Sequence, residues 1–327
     1  MKSNKIAWLS VLQGWAMLLV VLGHIDLNNE IVDPEHPFVN LIHSTIYGFH
    51  MPLFMFISGY LFYITKINKE KLYGTTILAK FKRLYIPMIF FTCVALLPKV
   101  ILPTLMKHPA DISWSYFVDV FILYKTNPLS EMWFVVSLFI LMLLYPIYKS
   151  ANHNKVLEYI ILVVSIILSV SNIQCKYFQL GQVSYMLFYF YSGILVSKYK
   201  WYEYAQNKYV LILSLMLFVV VNVELPIVPI VRNLVGIIFS FSLCQNLCKF
   251  FSNLFSSYRN YTYQIFLMGI FFQMGVRYLY LYSEIKYIVP FWLLYVFSIF
   301  VGIYIPVLIS KGIKKINNSC INLCFGL

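Results

Sequence analysis

Apolar runs of about 17–24 residues recur along the whole chain, and nothing else in it restricts the fold so strongly. Each run is long enough to cross a hydrocarbon core of ~30 Å as a helix. A soluble fold of 327 residues could not bury the surface of a chain that is 61% hydrophobic and 11% charged. Lipid accepts such surface, provided that every backbone N–H and C=O is paired within the protein, which leaves helices and closed barrels. The roughly ten-residue alternating segments of a barrel are absent. The expected fold is therefore an all-α integral membrane protein, a bundle of about ten transmembrane helices forming one domain over 1–327. The spans are placed at 6–24, 44–65, 84–105, 132–148, 156–171, 181–197, 209–225, 227–248, 261–281 and 287–309.

Charge gives the orientation. With the amino terminus inside, 18 of the 25 Lys and Arg fall on inner segments and six on outer ones, with Lys99 inside a span. Positive residues are retained on the cytoplasmic side during insertion, so both termini are expected there. Cysteine labelling from outside sealed cells is accordingly expected to reach Asp33→Cys and to miss Lys71→Cys; equal labelling of both would reverse the orientation. The net charge of +13 is accounted for by insertion and by anionic headgroups, without a nucleic-acid partner. The first run is longer than a signal peptide's apolar stretch and has no small-residue cleavage site after it. The six cysteines fit neither a disulfide framework nor a metal site, and none is assigned.

Ionisable groups in a span are expensive and so point to function. His24 ends the first span, with Asp26 beyond it; His50 sits in the second. Lys99 is near the outer end of the third, Glu131 opens the fourth, and Arg232 and Arg277 lie near the outer ends of the eighth and ninth. Singly, each reads as a side chain snorkelling to the interface. Their shared depth favours a polar cavity open to the outside.

Three opening blocks carry a resemblance. They are Leu12 to His24 (LQGWAMLLVVLGH), Phe49 to Phe62 (FHMPLFMFISGYLF), and an inner loop with Lys80-Phe81-Lys82-Arg83-Leu84-Tyr85-Ile86-Pro87. Glu131 to Val135 and Tyr261 to Met268 add two later ones. In order and spacing the chain resembles the membrane acyltransferase type 3 family, which includes bacterial polysaccharide O-acetyltransferases and fucose 4-O-acetylase-like proteins. The resemblance implies transfer of an acetyl (acyl) group from a coenzyme A thioester to a sugar hydroxyl of a cell-envelope glycan or lipid-linked sugar, in the inner (plasma) membrane. It makes His24 the motif histidine. A histidine suits the chemistry, because a general base working near neutral pH must take the hydroxyl's proton. Lys82 and Arg83 are expected to meet donor phosphates, and His50, Arg232 and Arg277 the acceptor. Glu131 is expected either to orient the catalytic imidazole or to pair with Lys99.

Three positions depart from the family pattern. Gln13 stands where a cation is usual, Ser10 where an Asp is common, and Gly269 where a His often follows the late aliphatic run. Gln13 can still hydrogen-bond a donor oxygen, more weakly than a charge would. Two other readings stay open at this point. One is a glycan or lipid-carrier transporter using the same outer cavity, and the other a catalytically inactive relative.

Overall fold

A computed structural model describes residues 7–25, 37–101, 103–105, 110, 113–123, 127–171, 173–175, 177–223 and 229–327. Asp26, Asp33, Lys107, Lys125 and Lys176 lie outside the described residues. Every regular element among those described is helical. In chain order they are α1 (Ala7–Gly23), α2 (Pro37–Phe62), α3 (Tyr73–Lys80), α4 (Ile86–Ile101), α5 (Trp114–Val118), α6 (Trp133–Leu143), α7 (Tyr145–His153), α8 (Lys155–Val170), α9 (Leu180–Lys198), α10 (Lys208–Val223), α11 (Pro229–Phe250), α12 (Thr262–Tyr282), α13 (Ile285–Ile288), α14 (Phe291–Ile316) and α15 (Ser319–Cys324).

A helix lies at each of the ten expected spans. Among the described residues, five stretches are long and apolar enough to cross a membrane: 41–67, 73–101, 229–250, 262–282 and 292–316. A sixth forms if the pair 130–143 and 145–153, bent by 48°, counts as one span. The all-α membrane class rests on these helices.

The segment Lys80 to Pro87 is not a loop. Helix α3 runs straight into a π-helical turn, Phe81–Tyr85, and on into α4, so the third apolar helix starts at Tyr73. The basic residues thus ride on helical backbone, in a wide turn of a kind often found at functional sites. The fourth span is not straight either. It breaks at Leu144, whose backbone leaves helical geometry, and α7 restarts with Pro146 in its first turn, where a missing N–H costs nothing.

The chain divides into two compact units, Met1–Phe54 with Lys200–Asn318, and Met55–Tyr199 with Ser319–Leu327. In the first, α1 packs against α11, α12 and α14, and α12 lies along α14. Glycines of α1 and α11 make room for bulky neighbours from elsewhere in the unit. A Cβ on Gly14 would sit 2.5 Å from the Cβ of Phe255, and one on Gly236 2.4 Å from the ring of Phe49. Tyr258 donates to the Gly14 carbonyl at 3.2 Å, and the Trp15 indole donates to Ser240 at 3.2 Å.

In the second unit, α9 packs against α8 and α6. Tyr60, Tyr145, Tyr189, Phe190 and Tyr191 fill its core. Tyr145 donates to the carbonyls of Lys66 and Lys71, at 3.3 and 2.6 Å, tying the bent pair to the turn after α2. Glu158 is buried, and its carboxylate accepts from both Lys198 and the Tyr199 hydroxyl. Lys198 also reaches the Asn152 carbonyl at 3.1 Å. Breaking such a buried pair from one side strands the other charge, at a typical cost of about 3–5 kcal/mol. The short α15 lies on α4, with the Phe325 ring edge-on to Phe91 at 5.2 Å.

Candidate active site

The candidate site is built in the first unit, where α1 ends beside α2. Helix α1 stops at Gly23, and His24 forms the turn that follows. The imidazole folds back on its own helix, with Nδ1 2.8 Å from the Val20 carbonyl, which also accepts the His24 backbone N–H at 3.1 Å. A carbonyl can only accept, so Nδ1 carries the proton and Nε2 is the basic nitrogen. His50 repeats the device one helix away, with Nδ1 2.8 Å from the Ile46 carbonyl. Two imidazoles are therefore held as the same tautomer by bonds of the same kind.

Their rings lie close together. The His24 and His50 centroids are 6.1 Å apart and edge-on. Tyr47 lies 6.3 Å from His24 and 5.1 Å from His50. His43 stacks on Tyr47 at 4.2 Å. Positions 43, 47 and 50 follow the four-then-three spacing of one helix face, so α2 presents all three side chains together. Gly23 lets the end of α1 approach them: a Cβ there would meet Ile46 at 3.3 Å and Tyr47 at 3.4 Å. His50 is buried and His24 half-buried, so His24 is the more accessible of the two.

Arg232, in the first turn of α11, lays its side chain across Gly48 of α2, where a Cβ would sit 2.9 Å from its Cδ. Its Nε is buried with no hydrogen-bond partner among the described residues. Pro52 has no N–H to give the Gly48 carbonyl, so the helix is locally open at this point. Arg277 is half-buried on α12, one turn beyond Gln273 on the same face. The first unit therefore gathers His24, His50, His43 and Tyr47 where the end of α1 meets the first half of α2, and Arg232 packs on the same stretch of α2 at Gly48.

The remaining expected residues lie elsewhere. Gln13 is half-buried on α1, eleven residues or about 16 Å of helix from His24, so it is not part of this cluster. Lys82 and Arg83 are exposed on the π-helical turn of the second unit. Glu131 also belongs to the second unit, in the 3₁₀ turn Ser130–Met132, where the Ser130 hydroxyl donates to it at 3.1 Å. Lys99 makes no ion pair among the described residues, so the Glu131–Lys99 pairing allowed by sequence is not formed. No group of three or more metal-ligating side chains occurs among the described residues.

Gly269 has a packing reason. A Cβ at this position would lie 2.8 Å from the Gly302 carbonyl, so α12 and α14 touch backbone to backbone and leave no room for an imidazole. Sequence reasoning passed over His43 and Tyr47, although the spacing His-x₃-Tyr-x₂-His was legible. It also missed Glu158, the one carboxylate in the first turn of α8.

A family model described as an acyltransferase domain matches residues 6–311 of the chain. No curated protein and no solved structure matches it.

Proposed function

Because the chain belongs to the membrane acyltransferase type 3 family and is an acyltransferase, we propose that it moves an acetyl group from acetyl-coenzyme A to a hydroxyl of a cell-envelope glycan or lipid-linked sugar. In this reading it resides in the inner (plasma) membrane, crosses it about ten times and keeps both termini in the cytoplasm. The observation that carries the reading is the pair of imidazoles fixed as Nδ1–H tautomers at the junction of α1 and α2.

His24 Nε2 takes the proton of the acceptor hydroxyl as its oxygen attacks the thioester carbonyl. The tetrahedral intermediate then collapses by breaking its C–S bond. The proton passes from the imidazolium to the departing thiolate, leaving an ester and free coenzyme A. His50, Arg232 and Arg277 supply hydrogen bonds to the acceptor. Glu131 is assigned no bond to the imidazole, whose Nδ1–H is already taken by the Val20 carbonyl. On the donor side, Lys82 and Arg83 bind the phosphates, and Gln13 donates a neutral hydrogen bond where relatives of this family commonly hold a cation. With acyl transfer as the activity, the transporter alternative falls away.

The test has two parts. Cells making the protein are expected to put radiolabelled acetyl into an envelope glycan that vector controls leave unlabelled; an unlabelled glycan would overturn the acceptor class. In purified protein, Lys82→Glu with Arg83→Glu is expected to weaken acetyl-coenzyme A binding by tenfold or more, about 1.4 kcal/mol, at unchanged expression. Arg83 carries most of that effect, because its planar fork can grip a phosphate through two bonds. Unchanged affinity would reduce both residues to topological charges.

A further inference from the structure

The histidine sits on a helix end, and helix ends are weakly held. The last carbonyls of any α-helix lack intrahelical partners. In α1, Val20 accepts from His24, and Leu22 accepts from Ile25 at 3.4 Å. The carbonyl between them, Val21, is taken by a side chain 252 residues away: Gln273 of α12 donates Nε2–H to it at 2.9 Å. Gln273 is buried, and Gly302 of α14 makes its place. A Cβ on Gly302 would lie 2.9 Å from Gln273 Cγ, 3.0 Å from Cδ and 3.3 Å from Nε2. The amide is thus confined on one side by bare backbone and spent on the other on the turn that carries His24.

We propose that Gln273 is a positioning residue for transfer: its amide holds the Val21 carbonyl, fixes the last turn of α1 and so presents His24, with Gly302 as the notch that admits it. This rests on His24 being the general base. Val21 is three residues from His24, and the imidazole is itself bonded to Val20. A shift of the final turn therefore moves the whole imidazole rather than one of its rotamers. Misplacing a reacting group by about 1 Å can lower rate by about 10²-fold with substrate binding intact. Gln273 touches neither reactant in this scheme, and its effect belongs in the maximal rate.

The test uses the full-length chain in inverted membrane vesicles, with radiolabelled acetyl-coenzyme A titrated against the glycan already present. Gln273→Met keeps the volume and loses the donor. It is expected to lower maximal transfer by about 10- to 100-fold per folded protein, with KM for acetyl-coenzyme A within about twofold of wild type. Gly302→Ala keeps the amide but displaces it, and should fall in the same direction; it carries the test if Gln273→Met does not fold. Ser242→Ala removes a buried hydroxyl that donates to the Ala205 carbonyl at 2.8 Å in the same unit, and should transfer at the wild-type rate per folded protein. Wild-type maximal transfer in Gln273→Met, or a loss that Ser242→Ala matches, would overturn the positioning role. His24→Ala in the same assay separates the two levels: full transfer there would remove the general base itself.

Discussion

A single methyl group at Gly193 is expected to cost the second unit its fold. A Cβ at this position would lie 2.0 Å from the Phe56 carbonyl oxygen and 2.8 Å from the Tyr60 nitrogen. The contact is reciprocal, since a Cβ on Gly59 would lie 1.9 Å from the Phe190 oxygen. Helices α2 and α9 therefore meet at their backbones, through one glycine from each. Lipid gives apolar helices little reason to associate, so close backbone approach at small residues carries much of the packing. The clashing atoms are backbone atoms, and no rotamer change relieves them. The helices must part, and Tyr60, Tyr189, Phe190 and Tyr191, all buried at this junction, lose their packing together. Ordinary overpacking costs about 1–3 kcal/mol; this contact belongs in the rare class above about 4 kcal/mol. Gly193→Ala and Gly59→Ala should yield little monodisperse protein after detergent extraction, as read by fluorescence-detected size exclusion. Gly74→Ala is the control. It stands in α3 with open space around it and should be neutral or stabilising by up to about 1 kcal/mol. A melting temperature for Gly193→Ala near that of wild type would mean that this backbone contact is not made.

The helices were legible because run length and hydrophobicity survive any detail of packing. Their ends were less so. Lys80, Lys82 and Arg83 made the entry to the third helix look like a loop, whereas the backbone carries those charges on a π-helical turn without a break. The break at Leu144 was signalled only by Pro146, which reads equally well as a tolerated proline within a span. At the site, His24 and His50 were visible as polar residues in apolar surroundings. His43 and Tyr47 follow from helical spacing and needed only that second step. Gly59 and Gly193 were invisible as a pair, because a close approach belongs to two helices and each sequence shows one. Gln273 was hidden for the same reason. A glutamine in an apolar helix says that a partner exists, and nothing local says that the partner is Val21. Glu158 escaped because it lies in the first turn of α8, where a carboxylate looks solvated, yet its partners Lys198 and Tyr199 are some forty residues on and enclose it.

His24→Ala is expected to reduce transfer by about 10²–10⁴-fold, the range that a positioned general base supplies, or about 3–5 kcal/mol of barrier. A hydroxyl is a poor nucleophile toward a thioester until its proton leaves, and an imidazole whose Nδ1–H is tied to Val20 presents Nε2 for that proton. Alanine removes the base and leaves the Val20 carbonyl with the backbone N–H it already accepts, so little of the fold should follow. His50 has the same tautomer and a neighbouring ring, and it is the competitor. Its burial argues for a supporting role, because a base must reach the acceptor oxygen and His24 is the more accessible imidazole. His50→Ala should therefore cost less, and more of that cost should come from stability, since it empties a buried site on α2. The measurement is glycan acetylation in cells expressing each variant at matched protein levels, with a thermal melt of each to divide activity from folding. A dead His24→Ala that melts as wild type, beside a weakened His50→Ala, assigns the base. Wild-type acetylation in His24→Ala would reject the mechanism, and acetylation lost only in His50→Ala would move the base one helix over.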